Sequence, residues 1–206
     1  MFTENEVGLM LENVDIEKAV IDLRKDFISH EAQFMELSDH DFLSLVLLTP
    51  AISIALANGS VSLFEELELN KRARKLSKGG YFMKKDPVVI VMGHLIEHYD
   101  KWEEKFFALL RSVMNTALDF DSIIFQDIAD DDITPDSFRK EVLKAPYGFV
   151  RFLASFFCSN DDEILNVESR KINKTEYERM IYIGDKLNLK KVPIFRHFCA
   201  TYEVKG

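Results

Sequence analysis

Five consecutive residues carry the strongest chemical suggestion in the chain: His94-Leu95-Ile96-Glu97-His98. The letters read H-x-x-E-H. On a helix, histidines four positions apart share a face, and both can reach one zinc ion. His94, Glu97 and His98 are therefore the first candidate metal ligands. On residue types the blander reading is the stronger. His98 lies one turn before Trp102 and packs with it, while His94 stays half-exposed.

The same five letters form the zinc motif of the inverted zincin peptidases. Those enzymes also need a downstream glutamate ligand and a large α/β substrate chamber. Glu176 lies at a plausible distance along the chain, but so do many glutamates. A helical pattern over 206 residues leaves little room for the chamber. A carboxylate-bridged two-metal bundle would need a second Glu-x-x-His copy, and the sequence has none. G-x-S-x-G and G-x-x-x-x-G-K are also absent, so serine-nucleophile and phosphate-loop chemistry lack their motifs.

The second group that could hold a cation is the acidic tract containing Asp130, Asp131 and Asp132. An EF-hand loop needs carboxylates at positions 1, 3 and 5, glycine at 6 and glutamate at 12. With Ile133 at position 8, Gln126, Ile128 and Ser137 fall where ligands belong, and only Asp130 fits. What remains is a solvated acidic turn or a weak divalent-cation site. No cofactor other than a divalent metal is suggested.

The residues around H-x-x-E-H read as a long helix over 87–118. Asp86-Pro87 supplies a capping oxygen and a proline at the first helical position. Val91, Leu95, Trp102, Phe106, Leu109, Leu110 and Val113 then recur on one face. About thirty helical residues span roughly 45 Å. The spacing thus predicts either a central helix that others wrap or a break near Gly93. Trp102, the only tryptophan, sits on the apolar stripe and reads as core.

Further helices are expected on either side. Residues 1–12 form an arm or a short first helix, and Asp15 caps a helix running to Phe27. A third spans 39–57 behind Ser38, apolar on nearly every side, with a kink or split at Pro50. Asn58-Gly59 ends it. Ser62 opens the next, acidic at Glu65 and Glu66 and basic towards Ser77, as the helix dipole favours. Thr134-Pro135 starts another, Phe149 to Phe157 mark a buried one, 174–187 has good period, and 193–202 is short. Strand alternation is absent, and 88–91 is the one place where a strand could hide. The fold class is all-α: a bundle of about seven to nine helices around the one near 87–118. It forms a single domain over 1–206, with a two-lobed division, if any, near 119–134.

Composition limits the partners. Hydrophobic residues make up 47% with 17 phenylalanines, ample for a core of this length. The net charge of −9 argues against a phosphate-binding surface, so nucleic acid is not expected. Cys158 and Cys199 sit in aromatic surroundings and read as buried thiols of a reducing compartment. The beginning of the chain lacks a basic region followed by an apolar block, and the most apolar window, 42–57, is short and interrupted. A cytoplasmic protein without membrane insertion is expected.

Two corners look alike. Residues 57–62 (ANGSVS) and 129–134 (ADDDIT) share small, Asx, turn, polar, β-branched and hydroxyl positions, each between an apolar helix and a helix start. These corners, with SNDDEI and EYERMIYIGDKLNL nearer the end, resemble the tellurite-resistance TerB-like domains, whose helices are joined by turns of the form A-D-G-x-[VI]-x. Asn58 stands where that family has aspartate, and no glycine follows Asp130. The resemblance implies an all-helical bundle with an intracellular, stress-related accessory role, and acidic residues that bind a cation. It does not imply an enzyme. The function expected is that of a non-enzymatic acidic protein acting through a protein partner or weak cation binding. The alternative is a metal-binding bundle or metal-dependent hydrolase using His94, Glu97 and His98.

Overall fold

A computed structural model describes residues 2–79, 85–118, 134–158, 164 and 170–205. They form ten α-helices and a two-stranded sheet: α1 (Glu4–Leu11), α2 (Val14–Glu31), α3 (Asp39–Ala55), α4 (Leu63–Leu76), α5 (Pro87–Glu97), α6 (Tyr99–Ala117), α7 (Pro135–Lys144), α8 (Tyr147–Phe157), β1 (Arg170–Asn173), α9 (Lys174–Lys186), α10 (Pro193–Ala200) and β2 (Tyr202–Lys205). The all-α class holds.

The centre is α3 rather than 87–118. It packs against α1, α2, α4, α5, α6, α8 and α9. Every residue from Phe42 to Ser53 is buried, as expected of a helix apolar on all sides. By length and composition Asp39–Asn58 could cross a bilayer, but 78% of that window is buried inside the protein. Pro50 does not split α3, which is one helix from Asp39 to Ala55. Two buried serines of α3 find partners on its neighbours: the Ser44 hydroxyl lies 3.0 Å from the Leu76 carbonyl of α4, and Ser53 Oγ accepts from Arg179 of α9.

The expected rod over 87–118 is two helices. The break falls at His98 (φ −121°, ψ 27°), not at Gly93. Buried residues continue across it, from Val88, Val91, Met92 and Leu95 to Tyr99, Trp102 and Phe106. Trp102 is 1% exposed and packs edge-on against Phe27, with ring centroids 4.9 Å apart.

Capping residues set the other boundaries. Ser38, Ser62, Asp86 and Thr134 each accept hydrogen bonds from first-turn amides, as expected. For α2 the cap is Asn13, not Asp15. The first segment is a helix rather than an arm. The Phe2 N–H donates to Ser155 Oγ at 2.8 Å, and the Phe2 ring packs on Phe152. Residues 88–91 are helical; the strands lie elsewhere. β1 and β2 pair in parallel, Arg170 opposite Tyr202. Both cysteines are buried thiols, not joined in a disulfide.

Candidate functional site

A groove of about 760 Å³ opens between the 56–59 turn, the α5–α6 corner and α9. That is within the roughly 300–1,000 Å³ of small-ligand sites. Ile96, Glu97 and His98 of the H-x-x-E-H stretch line it, and His94 does not.

They do not converge there as a ligand set. His98 ends α5, and its Nδ1 lies 3.2 Å from the His94 carbonyl and 3.3 Å from Glu31 Oε2 on α2. His94 Nδ1 is 4.0 Å from Glu97 Oε2, and the Glu97 side chain is 70% exposed. Among the described residues, no three His, Cys, Asp or Glu side chains are placed to share a metal ion. Glu176 is engaged elsewhere: it completes the capping box of α9 with Asn173. His98 does not pack on Trp102 either; the imidazole beside that indole is His30, with centroids 6.0 Å apart. Asp130, Asp131 and Asp132 lie outside the described residues.

Glu31 is what the α5–α6 corner is built on. Its carboxylate accepts hydrogen bonds from Lys101 Nζ at 2.5 Å and Trp102 Nε1 at 2.8 Å. These donors, Lys101 first, hold its carboxyl below the usual range despite partial burial. A carboxylate so engaged is a structural clamp rather than a base.

The basic wall of the groove is committed in the same way. Arg179 Nε on α9 donates to Ser53 Oγ at 2.7 Å and to the Ser53 carbonyl at 3.2 Å. Its Nη2 pairs with Glu103 on α6, and the Tyr182 hydroxyl donates to the same carboxylate at 3.0 Å. The guanidinium stacks over the Tyr182 ring, 4.7 Å from its centroid. Burial pushes the Tyr99 hydroxyl far up, and burial followed by the hydrogen bond to Glu103 raises Tyr182. Neither phenol ionises at neutral pH. The network ties α3, α6 and α9 together. Its bonds join residues 76 to 126 positions apart, which no local spacing announces. Ser137 Oγ on α7 likewise meets His197 Nδ1 on α10, but that hydroxyl also bonds Thr134 within the α7 cap.

Among the described residues, the most exposed apolar surface along one helix lies on α4. Leu69, Ala73 and Leu76 turn inward, while Leu63, Phe64 and Leu67 are 74%, 74% and 58% exposed. Burying each would be worth about 1.5–3 kcal/mol, so leaving three together in water is costly unless something covers them. Phe64 also borders a second groove of about 250 Å³, floored by Ala51, Ile54, Ala55, Phe156 and Phe157.

No family model, curated protein or solved structure matches this chain.

Proposed function

We propose that the protein is a non-enzymatic helical module that works by binding a protein partner through α4. One observation carries this reading: Leu63, Phe64 and Leu67 stand exposed within little more than one helical turn, beside an apolar groove. Aromatic and aliphatic side chains so placed are the usual anchors of a protein interface. The committed state of Arg179 and Lys101 in the larger groove, paired with Glu103 and Glu31, supports a binding role over a catalytic one. The TerB-like corners favour an intracellular, stress-related accessory protein, with weak cation binding at Asp130, Asp131 and Asp132 as a secondary property.

The test is proximity labelling in the native cells, comparing the wild-type chain with a Phe64→Asp/Leu67→Asp variant that keeps its far-UV circular dichroism. A set of proteins labelled by the wild type and lost in the variant is expected. Identical labelling by both would refute α4 as the contact face.

A further inference from the structure

We infer that the segment received beside α4 is a basic amphipathic helix of a protein partner, with one large apolar anchor flanked by lysine or arginine. This rests on α4 being the partner-binding face and adds the chemistry of the occupant.

The groove sets the anchor. Its 250 Å³ is below the roughly 300–1,000 Å³ of small-ligand sites, so it suits one or two side chains rather than a whole ligand. Its floor is aliphatic and aromatic, and Phe64 on its border adds an exposed ring. A groove between helices with apolar residues along one rim is the geometry that receives an amphipathic helix.

The rim sets the charge. Among the described residues, Glu65, Glu68 and Glu176 border the groove, against one cation, Arg72. Glu65 Oε2 accepts from the Ser62 N–H at 2.8 Å and the Ser62 hydroxyl at 2.5 Å. Glu176 accepts from the Asn173 N–H at 3.4 Å and from Asn58 Nδ2 at 3.5 Å. These donors are neutral, so they orient the carboxylates without cancelling their charge. Glu68 lies 3.8 Å from Lys71 in a loose pair, half-buried on the Glu68 side and exposed on the Lys71 side, an arrangement of little strength. The chain's net charge of −9 adds a field that draws in cations. Lys71 and Arg74, exposed farther along α4, repel a basic segment and so fix its direction. Its basic end lies over the three glutamates with its anchor in the groove.

The probe is a fluorescein-labelled peptide of about four helical turns, made of leucine and lysine with the leucines on one face. Its control has glutamate in place of every lysine. Fluorescence anisotropy at physiological ionic strength reads binding. The leucine–lysine peptide is expected to bind and the leucine–glutamate peptide not. Phe64→Ala and Glu68→Lys should each weaken binding about tenfold. Glu178→Lys, the same charge change in the larger groove, should leave it unaltered. Three results would overturn the inference: equal weakening by Glu178→Lys, preference for the acidic peptide, or binding of neither. So would self-association in sedimentation equilibrium that Phe64→Ala abolishes, since the occupant would then be a second copy. Proximity labelling, which asks only whether α4 touches any protein, judges the underlying reading separately.

Discussion

Replacing Gly184 by alanine sets two opposed effects against each other. Gly184 lies inside α9, where Ala is about 0.8–1.0 kcal/mol better as a helix former. A Cβ built there falls on the Phe195 ring of α10, overlapping Cε1 and Cζ and 3.4 Å from Cδ1. Carbon atoms prefer about 3.5–4.0 Å, so the ring must move by roughly 1 Å or more. It has little room: Phe195 is 1% exposed and its centroid is 5.9 Å from that of Phe157. Overpacking of this kind costs about 1–3 kcal/mol, which outweighs the gain in propensity. The expected net loss is about 1 kcal/mol. With an m-value of about 2 kcal/mol per molar urea, the midpoint falls by about 0.5 M. Gly93→Ala is the control, because nothing lies within 4 Å of its Cβ; it should raise the midpoint. Gly148→Ala should fall between them, since among the described residues its Cβ meets the Leu118 methyl Cδ2 alone, at 2.9 Å. Urea unfolding of the three variants reads the order directly. A Gly184→Ala protein as stable as the wild type would refute the close packing of α9 on α10.

Other outcomes follow from named contacts. His40 Nε2 sits 2.9 Å from the Glu4 carbonyl and Nδ1 3.8 Å from Asp41, whose carboxylate raises the imidazole above its usual 6.5. Its stabilisation is full below 6.5 and is lost as pH rises through the higher folded value. His40→Gln should remove that alkaline decline in the urea midpoint. Burial pushes Asp41 up, but His40, the Lys78 N–H at 2.8 Å and the Ser38 hydroxyl outweigh it and bring it below 3.8. Its contribution is full above 3.8 and is lost as pH falls through the lower folded value, so Asp41→Asn should flatten part of the acid limb. Glu31→Ala leaves the Trp102 indole N–H without its acceptor and should cost about 1–3 kcal/mol, with a change in tryptophan emission.

The helix ends were legible because their chemistry is local. Ser38, Ser62, Asp86-Pro87 and Thr134-Pro135 announce starts by their own side chains, and Asn188 follows α9 at φ 58°. The break at His98 was not legible, since Leu95, Tyr99, Trp102 and Phe106 keep helical spacing straight through it. A glutamate on α2 holds that corner, and no nearby letter shows it. The continuous burial of α3 was readable from its composition, but not its central position, which depends on how seven other helices pack on it. The four-residue strands escaped notice because Arg170–Asn173 and Tyr202–Lys205 are too short to alternate visibly and pair across α9 and α10. At the candidate site, the sequence named His94, Glu97 and His98 as metal ligands; the fold sets Glu97 and His98 along a cleft, and among the described residues no three ligating side chains are grouped there. The α4 face hid behind its own charges. Leu63, Phe64 and Leu67 sit among glutamates, and only burial separates an outward apolar residue from a core one.

Site-specific photocrosslinking tests the role of α4 most directly. Phe64 is replaced by a photoreactive phenylalanine analogue, Glu178 in the larger groove by the same analogue as control, and cells are irradiated. A discrete heterologous adduct from position 64, absent from position 178 and lost when Leu67→Asp is added, is the expected result. An adduct from position 178 with none from position 64 would contradict it.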